Sequence, residues 1–315
     1  MKALQAVEKK PVMVEVQAPE CLAGQVRIRV QASGLNRADL LQVAGLYPPP
    51  PGVSDVLGLE CAGEVIEAGD GSGWQVGDRV CALLAGGGMA EEVCVDGRHV
   101  LPWPAGLDAV AAAAVPEVYA TAWLNVFQLG EAKAGDKVLI HAGASGVGSA
   151  AIQLCKALDI ECWVSVGSQE RLDYCVGLGA KGGVIRDQGI EALQAFGPFD
   201  VILDPVGASY AVQNLKMLAV DGRWVNIGLM GGRRVELDLA LLLGKRIRLI
   251  GSTLRTRDDD FKAALVASLG EHVWPLFAAD KLDPRAEEVF GFADAPAAFG
   301  RLASNQVNGK LVLKF

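Results

Sequence analysis

The chain has 315 residues, half of them hydrophobic and about a fifth charged, enough to bury the cores of two domains. Its formal net charge of −8 argues against nucleic-acid binding, so an anionic cofactor would have to be held by local donors. Seven scattered cysteines without a CxxC spacing, and three histidines (His99, His141, His272) without a ligand spacing, argue against a disulfide framework or a structural zinc site.

The opening MKALQAVEKK reads as a strand and not as a leader. The longest apolar stretch, near 107–127, is broken by Asp108, Pro116, Glu117 and Asn125, too polar for a membrane span. A soluble cytoplasmic protein is expected. In QVRIRVQAS (25–33), Val26, Ile28 and Val30 alternate with Arg27, Arg29 and Gln31, the pattern of a half-buried strand. NRADLLQVAG (36–45) predicts a helix, and YPPPPG (47–52) a stiff extended loop, because proline fixes φ and donates no N–H. Turn signals at AGDGSG (68–73), VGDRV (76–80) and AGGG (85–88) punctuate short strands, so a small barrel-like β domain is expected first.

From about residue 117 the texture changes. KVLIHAG, ECWVSVG, GGVIRD, FDVILDPVG, GRWVNIG and RIRLIGS are short apolar runs separated mostly by helical segments, the sign of a parallel α/β sheet. Beyond about residue 256 a helix is predicted near Asp294–Pro296, and KLVLKF closes as a strand that can rejoin the first domain.

GASGVG (143–148) follows a predicted strand and opens a predicted helix, the context of a dinucleotide-binding turn. Gly143 would permit the tight turn, the amides of Gly146 and Val147 would face a pyrophosphate, and Gly148 would let the helix approach the strand. Ser145 replaces the second glycine of the common pattern and adds a hydroxyl. The next strand ends at Gly167 and runs on as Ser168-Gln169-Glu170-Arg171, with no acid at its tip to take the ribose hydroxyls. Ser168, Arg171 and, after the third strand, Arg186 suit a 2′-phosphate, so NADPH is expected over NADH. The alternatives are a ligand-free structural turn and arginines that are merely solvated.

With these residues assembled, the chain resembles the medium-chain dehydrogenase/reductase superfamily. Within it, the chain is similar to the zinc-free quinone oxidoreductase branch that includes zeta-crystallin, above all the quinone oxidoreductases induced by a tumour suppressor in animals, with their bacterial relatives. The likeness rests on LNRADLLQ (35–42), YPPPPG, LGLECAG (57–63), LLAGGGMAE (83–91), VPEVYATAW (115–123) and HAGASGVGSAAIQL (141–154). It continues in LDPVGASY (203–210), DGRWVNIGLMGG (221–232), LRTRD (254–258) and NGKLVL (308–313). The resemblance implies a GroES-like catalytic domain from residues 1–118 and 257–315, around a Rossmann NADPH-binding domain at 119–256. It also implies a homodimer built through the strand near 246–252.

The resemblance further places the three catalytic zinc ligands of metal-dependent members at Asn36, Leu59 and Glu117, a poor zinc set. The four-cysteine lobe is missing where VCALLAGGGMAEE (80–92) runs straight through. Without a Lewis acid, alkoxide chemistry lacks its stabiliser. Hydride transfer to a quinone yields a delocalised phenolate, for which a few hydrogen-bond donors suffice. The resemblance offers Asn36, Tyr47 and Thr121 as those donors. It puts Gly228 and Met230 along the nicotinamide, with Leu254 and Asn308 closing the pocket. Their plainer readings are a helix cap for Asn36, an anchor of the proline loop for Tyr47, a helix-face residue for Thr121, core packing and turn capping for the rest. NADPH:quinone reduction is the leading expectation. Reduction of activated C=C bonds in alkenals or enones, and a non-catalytic NADPH-binding role, remain open.

Overall fold

The computed structural model describes residues 1–315, which divide into two compact units, Met1–Ala120 with Leu254–Phe315 and Thr121–Thr253. No helix is long and apolar enough to cross a membrane.

The middle unit is a six-stranded, all-parallel sheet. Its strands lie in the order Gly182–Ile185, Glu161–Val166, Lys137–His141, Phe199–Asp204, Leu218–Asn226 and Arg248–Gly251. In chain order that is 3-2-1-4-5-6, the doubly wound arrangement, and it reverses direction between Lys137–His141 and Phe199–Asp204. The central strands are buried on both faces, which explains runs such as Val138, Leu139 and Ile140, all fully buried. Helices Gly146–Ala157, Gln169–Leu178 and Ala208–Met217 make three of the crossovers, and the one before Phe199–Asp204 is only 3₁₀ turns at Arg186–Gln188 and Ile190–Ala195.

A buried polar chain locks the carboxyl ends of these strands. His141 bonds the Ser165 hydroxyl through Nδ1 (2.7 Å) and Asn214 Oδ1 through Nε2 (2.8 Å). Asn214 and the Trp224 indole both donate to Asp204 Oδ2, at 3.0 and 2.9 Å. Asp204 Oδ1 accepts the backbone N–H groups of Val206 (2.7 Å) and Gly207 (3.0 Å), which sets the loop after its strand. Burial pushes the His141 pKa below the ordinary histidine range, against the opposing pull of Asp204 and the Asn214 hydrogen bond.

The other unit is built on a seven-stranded sheet. Its order is Ala286–Gly291, Lys310–Lys314, Gln25–Gly34, Glu60–Ala68, Arg79–Leu83 and Val100–Pro102, and Glu92–Asp96 also pairs with Gln25–Gly34. The C-terminal strand runs antiparallel to Gln25–Gly34 with Val312 opposite Gly34, so residues near 310 face residues near 36. Val26 and Ile28 are fully buried while Arg27 pairs with Glu67 at the surface, as the alternation requires. A separate hairpin, Lys2–Val7 with Lys10–Glu15, turns through Glu8 and Lys9, both left-handed (φ 49° and 60°) although neither is glycine. The predicted helix at 36–45 is Arg37–Val43, and the one near 294–296 is Ala295–Ala303. The chain enters the middle unit through helix Pro116–Ala122, which continues as a π-helical turn at Trp123–Leu129 that no sequence pattern announced.

Candidate active site

The glycine turn sits at the carboxyl edge of the first parallel strand, beside the point where strand order reverses, the crevice where doubly wound sheets bind ligands. Ser145 caps helix Gly146–Ala157, its Oγ accepting the Gly148 N–H at 3.1 Å. The turn itself differs from the expectation. The left-handed residue is Ala142 (φ 56°), not Gly143. Gly143 is needed for room instead, because a Cβ there would lie 2.7 Å from Val164 Cγ1 on the next strand. At Gly148 a Cβ would overlap the Gly143 carbonyl and lie 2.7 Å from that of Ala142, so the helix approaches its strand only without a side chain.

The second helix N-terminus repeats the device. Ser168 Oγ accepts the Arg171 N–H at 3.4 Å and caps Gln169–Leu178. Two guanidiniums converge just before it. A Cβ on Gly167 would stand 3.5 Å from Arg171 Nη1 and 3.6 Å from Arg186 Cζ. Arg171 is half-buried; Arg186 is open to solvent and paired with Asp187 at 3.3 Å. Two serine-capped helix N-termini and two converging arginines supply N–H donors and positive charge of the kind that could hold a diphosphate and a further phosphate. At the ends of the fourth and fifth strands the loops 205–208 and 227–232 are stapled together. Met230 N–H meets the Pro205 carbonyl at 3.3 Å, Gly231 N–H meets that of Val206 at 2.7 Å, and Asn226 Nδ2 donates to the Gly228 carbonyl at 3.0 Å. Met230 is exposed there. Thr121 opens this unit in the helix Pro116–Ala122, its carbonyl accepting Asn125 Nδ2 at 2.7 Å. Ser252 Oγ is buried without a partner.

In the other unit, Asn36 caps helix Arg37–Val43, its N–H donating to Asp39 Oδ2 at 2.7 Å, and it is also part of a buried ionic cluster. Lys310 Nζ donates to Glu60 Oε1 (2.5 Å), Asn36 Oδ1 (2.7 Å) and the Leu35 carbonyl (2.8 Å). Asn36 Nδ2 donates to Glu60 Oε1 at 2.8 Å, and Glu60 Oε2 accepts the Glu117 N–H, also at 2.8 Å. The Glu60 and Lys310 side chains are almost completely buried. Gly34 makes the space, since a Cβ there would overlap Glu60 Oε1. Two more carboxyls stand close. Burial raises Asp39 to about 6, against opposing hydrogen bonds from Asn36 and Gly58. Glu117 keeps some solvent contact, yet the surrounding protein and the Glu60 carboxylate push it up to about 8.

Tyr47 lies beside this cluster, half-buried, its pKa raised by burial and by Glu117. Its loop is fixed by Arg255. That nearly buried guanidinium donates to the carbonyls of Ala85 (2.6 Å) and Tyr47 (3.2 Å) and to Gln42 Oε1 (2.8 Å), and stacks 5.3 Å from the Tyr47 ring centre. Burial lowers the Arg255 pKa. Leu254 is buried, and Asn308 Oδ1 is buried without a partner. Thus Asn36, Tyr47, Leu254 and Asn308 fall in one unit, and Thr121, Ser145, Gly146, Val147, Gly167, Ser168, Arg171, Arg186, Gly228 and Met230 in the other. Glu60, Lys310, Asp39 and Arg255 were not singled out from sequence. The available signal was a charge inside an apolar run, as in LGLECAG and KLVLKF, since a buried charge must be paired.

Two family models match: the alcohol dehydrogenase GroES-like domain over residues 22–105 and the zinc-binding dehydrogenase over residues 146–269. Polyketide synthase GfsB of Streptomyces halstedii is 33% identical over 92% of this chain, which spans only 5% of that protein. Among solved structures, the CurK enoyl reductase superposes with a TM-score of 0.86 at 27% identity, covering 99% of this chain and 98% of that one. A quinone oxidoreductase from Coxiella burnetii superposes at 0.84 with 28% identity, over 100% and 99%. The chain belongs to the medium-chain dehydrogenase/reductase superfamily. The zinc of the family model's description does not fit these residues. No three His, Cys, Asp or Glu side chains are grouped to hold a metal ion. At the expected ligand positions Leu59 is buried apolar, and the Asn36 amide is committed to a lysine ammonium and a carboxylate.

Proposed function

We propose that this chain is a zinc-independent NADPH:quinone oxidoreductase acting in the cytoplasm. The unit Met1–Ala120 with Leu254–Phe315 is its catalytic domain, and Thr121–Thr253 its NADPH-binding domain. The observation that carries the reading is the Lys310–Glu60–Asn36 cluster, an ammonium and an amide where metal-dependent relatives would keep a Lewis acid. Such a site can stabilise a phenolate with hydrogen bonds but is poorly equipped for an alkoxide. NADPH, when bound, supplies the hydride. The amides of Gly146 and Val147 hold its diphosphate, and Ser168, Arg171 and Arg186 its 2′-phosphate. Gly228, Met230, Leu254 and Asn308 line the nicotinamide side, where the unpartnered Oδ1 of Asn308 finds a donor. Asn36, Tyr47 and Thr121 donate to the quinone oxygen, and the hydroquinone anion formed by the hydride takes its proton from water.

A second reading, reduction of activated C=C bonds, is favoured by the likeness to an enoyl reductase and by the polyketide synthase relatives. A net charge of −8 favours a neutral quinone over an anionic thioester carrier. We also infer a homodimer. Arg248–Gly251 is an open sheet edge, and Leu239, Leu243 and Leu249 are exposed around it.

The test is oxidation of NADPH and NADH by chelator-treated protein with ortho- and para-quinones beside simple enones. NADPH-selective quinone turnover is expected. Turnover of enones alone promotes the second reading. Tight NADPH binding with no turnover marks a non-catalytic role, and loss of activity on chelation means that a metal takes part.

A further inference from the structure

We propose that Lys310 is a positioning residue that aims the Asn36 amide at the substrate oxygen. The inference rests on the reductase reading above. An ammonium has three donors. Lys310 spends all three, on the Leu35 carbonyl, Asn36 Oδ1 and Glu60 Oε1, and is left none for a ligand. A side-chain amide has two N–H groups and one oxygen. In Asn36 the oxygen is taken by Lys310 and one N–H by Glu60, while the second N–H has no protein acceptor. Asn36 is also the member of the cluster with solvent access, whereas Lys310 and Glu60 have nearly none. The free N–H is therefore the only polar hydrogen that these three side chains can offer outward.

The two charges fix which way the amide faces. Turned over, it would set its NH₂ against the ammonium and its oxygen against the carboxylate, in surroundings where charges are weakly screened. Lys310 thus selects the orientation that presents a donor. It also polarises the amide: a cation on the oxygen draws density from nitrogen and strengthens the remaining N–H as a donor. A donor locked before the anion develops is what catalysis of this type requires, because nothing has to reorient in the transition state. The backbone holds the device in register. Strand Lys310–Lys314 pairs with the end of Gln25–Gly34, and Gly34 leaves room for the Glu60 carboxylate.

The test compares Lys310→Met/Glu60→Gln, which removes both buried charges together, in the Asn36 and Asn36→Ala backgrounds, with folding checked by circular dichroism. With Asn36 present, kcat should fall about tenfold or more while the KM for NADPH stays within about twofold. With Asn36→Ala, the same pair should cost less than about twofold, because the residue through which Lys310 acts is gone. Equal losses in both backgrounds would mean a merely structural role and overturn the proposal. Should the pair fail to fold, Lys310→Arg is carried through the same comparison with the same expectations, since a planar guanidinium keeps the charge but not the three-way geometry. A second readout needs no turnover. p-Nitrophenol bound with NADP⁺ should titrate about one pH unit higher in the variant than in the wild type; an unchanged titration overturns the idea. If the wild type reduces enones but no quinone, the quinone reading falls and the comparison is run on the enone, whose enolate oxygen needs the same donor. A protein that reduces neither overturns both.

Discussion

Replacing Arg171 and Arg186 by alanine, singly and together, separates the two nicotinamide cofactors. Their guanidiniums converge on Gly167 to within about the same distance, but their surroundings differ. Arg171 is half-buried against its helix, and a sheltered hydrogen bond to a charged group contributes about 1.5–3 kcal/mol. Taking the lower part of that range, Arg171→Ala should weaken NADPH about 10- to 30-fold. The Arg186 side chain is 59% exposed and shared with Asp187, so its contribution belongs to the surface range of about 0.2–1 kcal/mol, a factor of about 1.4 to 5. The double variant should lose about 14- to 150-fold if the two act independently, and NADH should change less than about twofold because it has no 2′-phosphate. The assay is titration of both cofactors by fluorescence quenching at low and at high salt. The Arg186 contribution should shrink first as salt rises, being the more exposed. Equal losses for NADPH and NADH, or tighter NADH binding by the wild type, would refute the phosphate site.

The raised carboxyls make a stability prediction whose sign is fixed. Glu117 titrates at about 8 when folded against an ordinary 4.5, so the native state keeps a proton that the unfolded chain has lost, and stability falls as pH rises through that window. Asp39, at about 6, adds to the lower part only. Urea denaturation from pH 6.5 to 8.5 should therefore show a decline of about 2 kcal/mol in the wild type, reduced by the solvent contact Glu117 retains, and a much flatter profile in Glu117→Gln; parallel profiles would show that Glu117 is ionised throughout. Arg255→Met should cost about 2–3 kcal/mol and open residues 47–52 to limited proteolysis, because it removes three hydrogen bonds from a buried guanidinium; an unchanged cleavage pattern would count against Arg255 as the loop's anchor. Tyr47→Phe should slow enone reduction more than quinone reduction, since only the enone needs a proton on carbon; equal effects would remove that distinction.

Much of the fold was legible because its signals are local. Apolar runs between helical segments announced a parallel sheet, and the alternation of Val26, Ile28 and Val30 announced a half-buried strand. GASGVG announced a turn between strand and helix, and the structure puts a serine-capped helix there. The division of labour within that turn was not legible. Ala142 takes the left-handed turn, and Gly143 is needed because Val164, a strand away, leaves no room for a side chain there. The π-helical turn at Trp123–Leu129 likewise breaks the helical period without a proline or glycine to mark it.

The sequence by itself determined the class: the alternation of elements, the glycine turn, and no acid at the tip of the second strand. Each of these is a pattern of neighbours along the chain, where side-chain period and turn chemistry act directly. Only the tertiary structure decided which polar groups share a site. Lys310 meets Asn36 from 274 residues away, Arg255 meets Gln42 from 213, and Arg171 and Arg186 converge from different elements. Charges that far apart leave no spacing to read, because their pairing is set by strand order and by the cost of burying a charge alone.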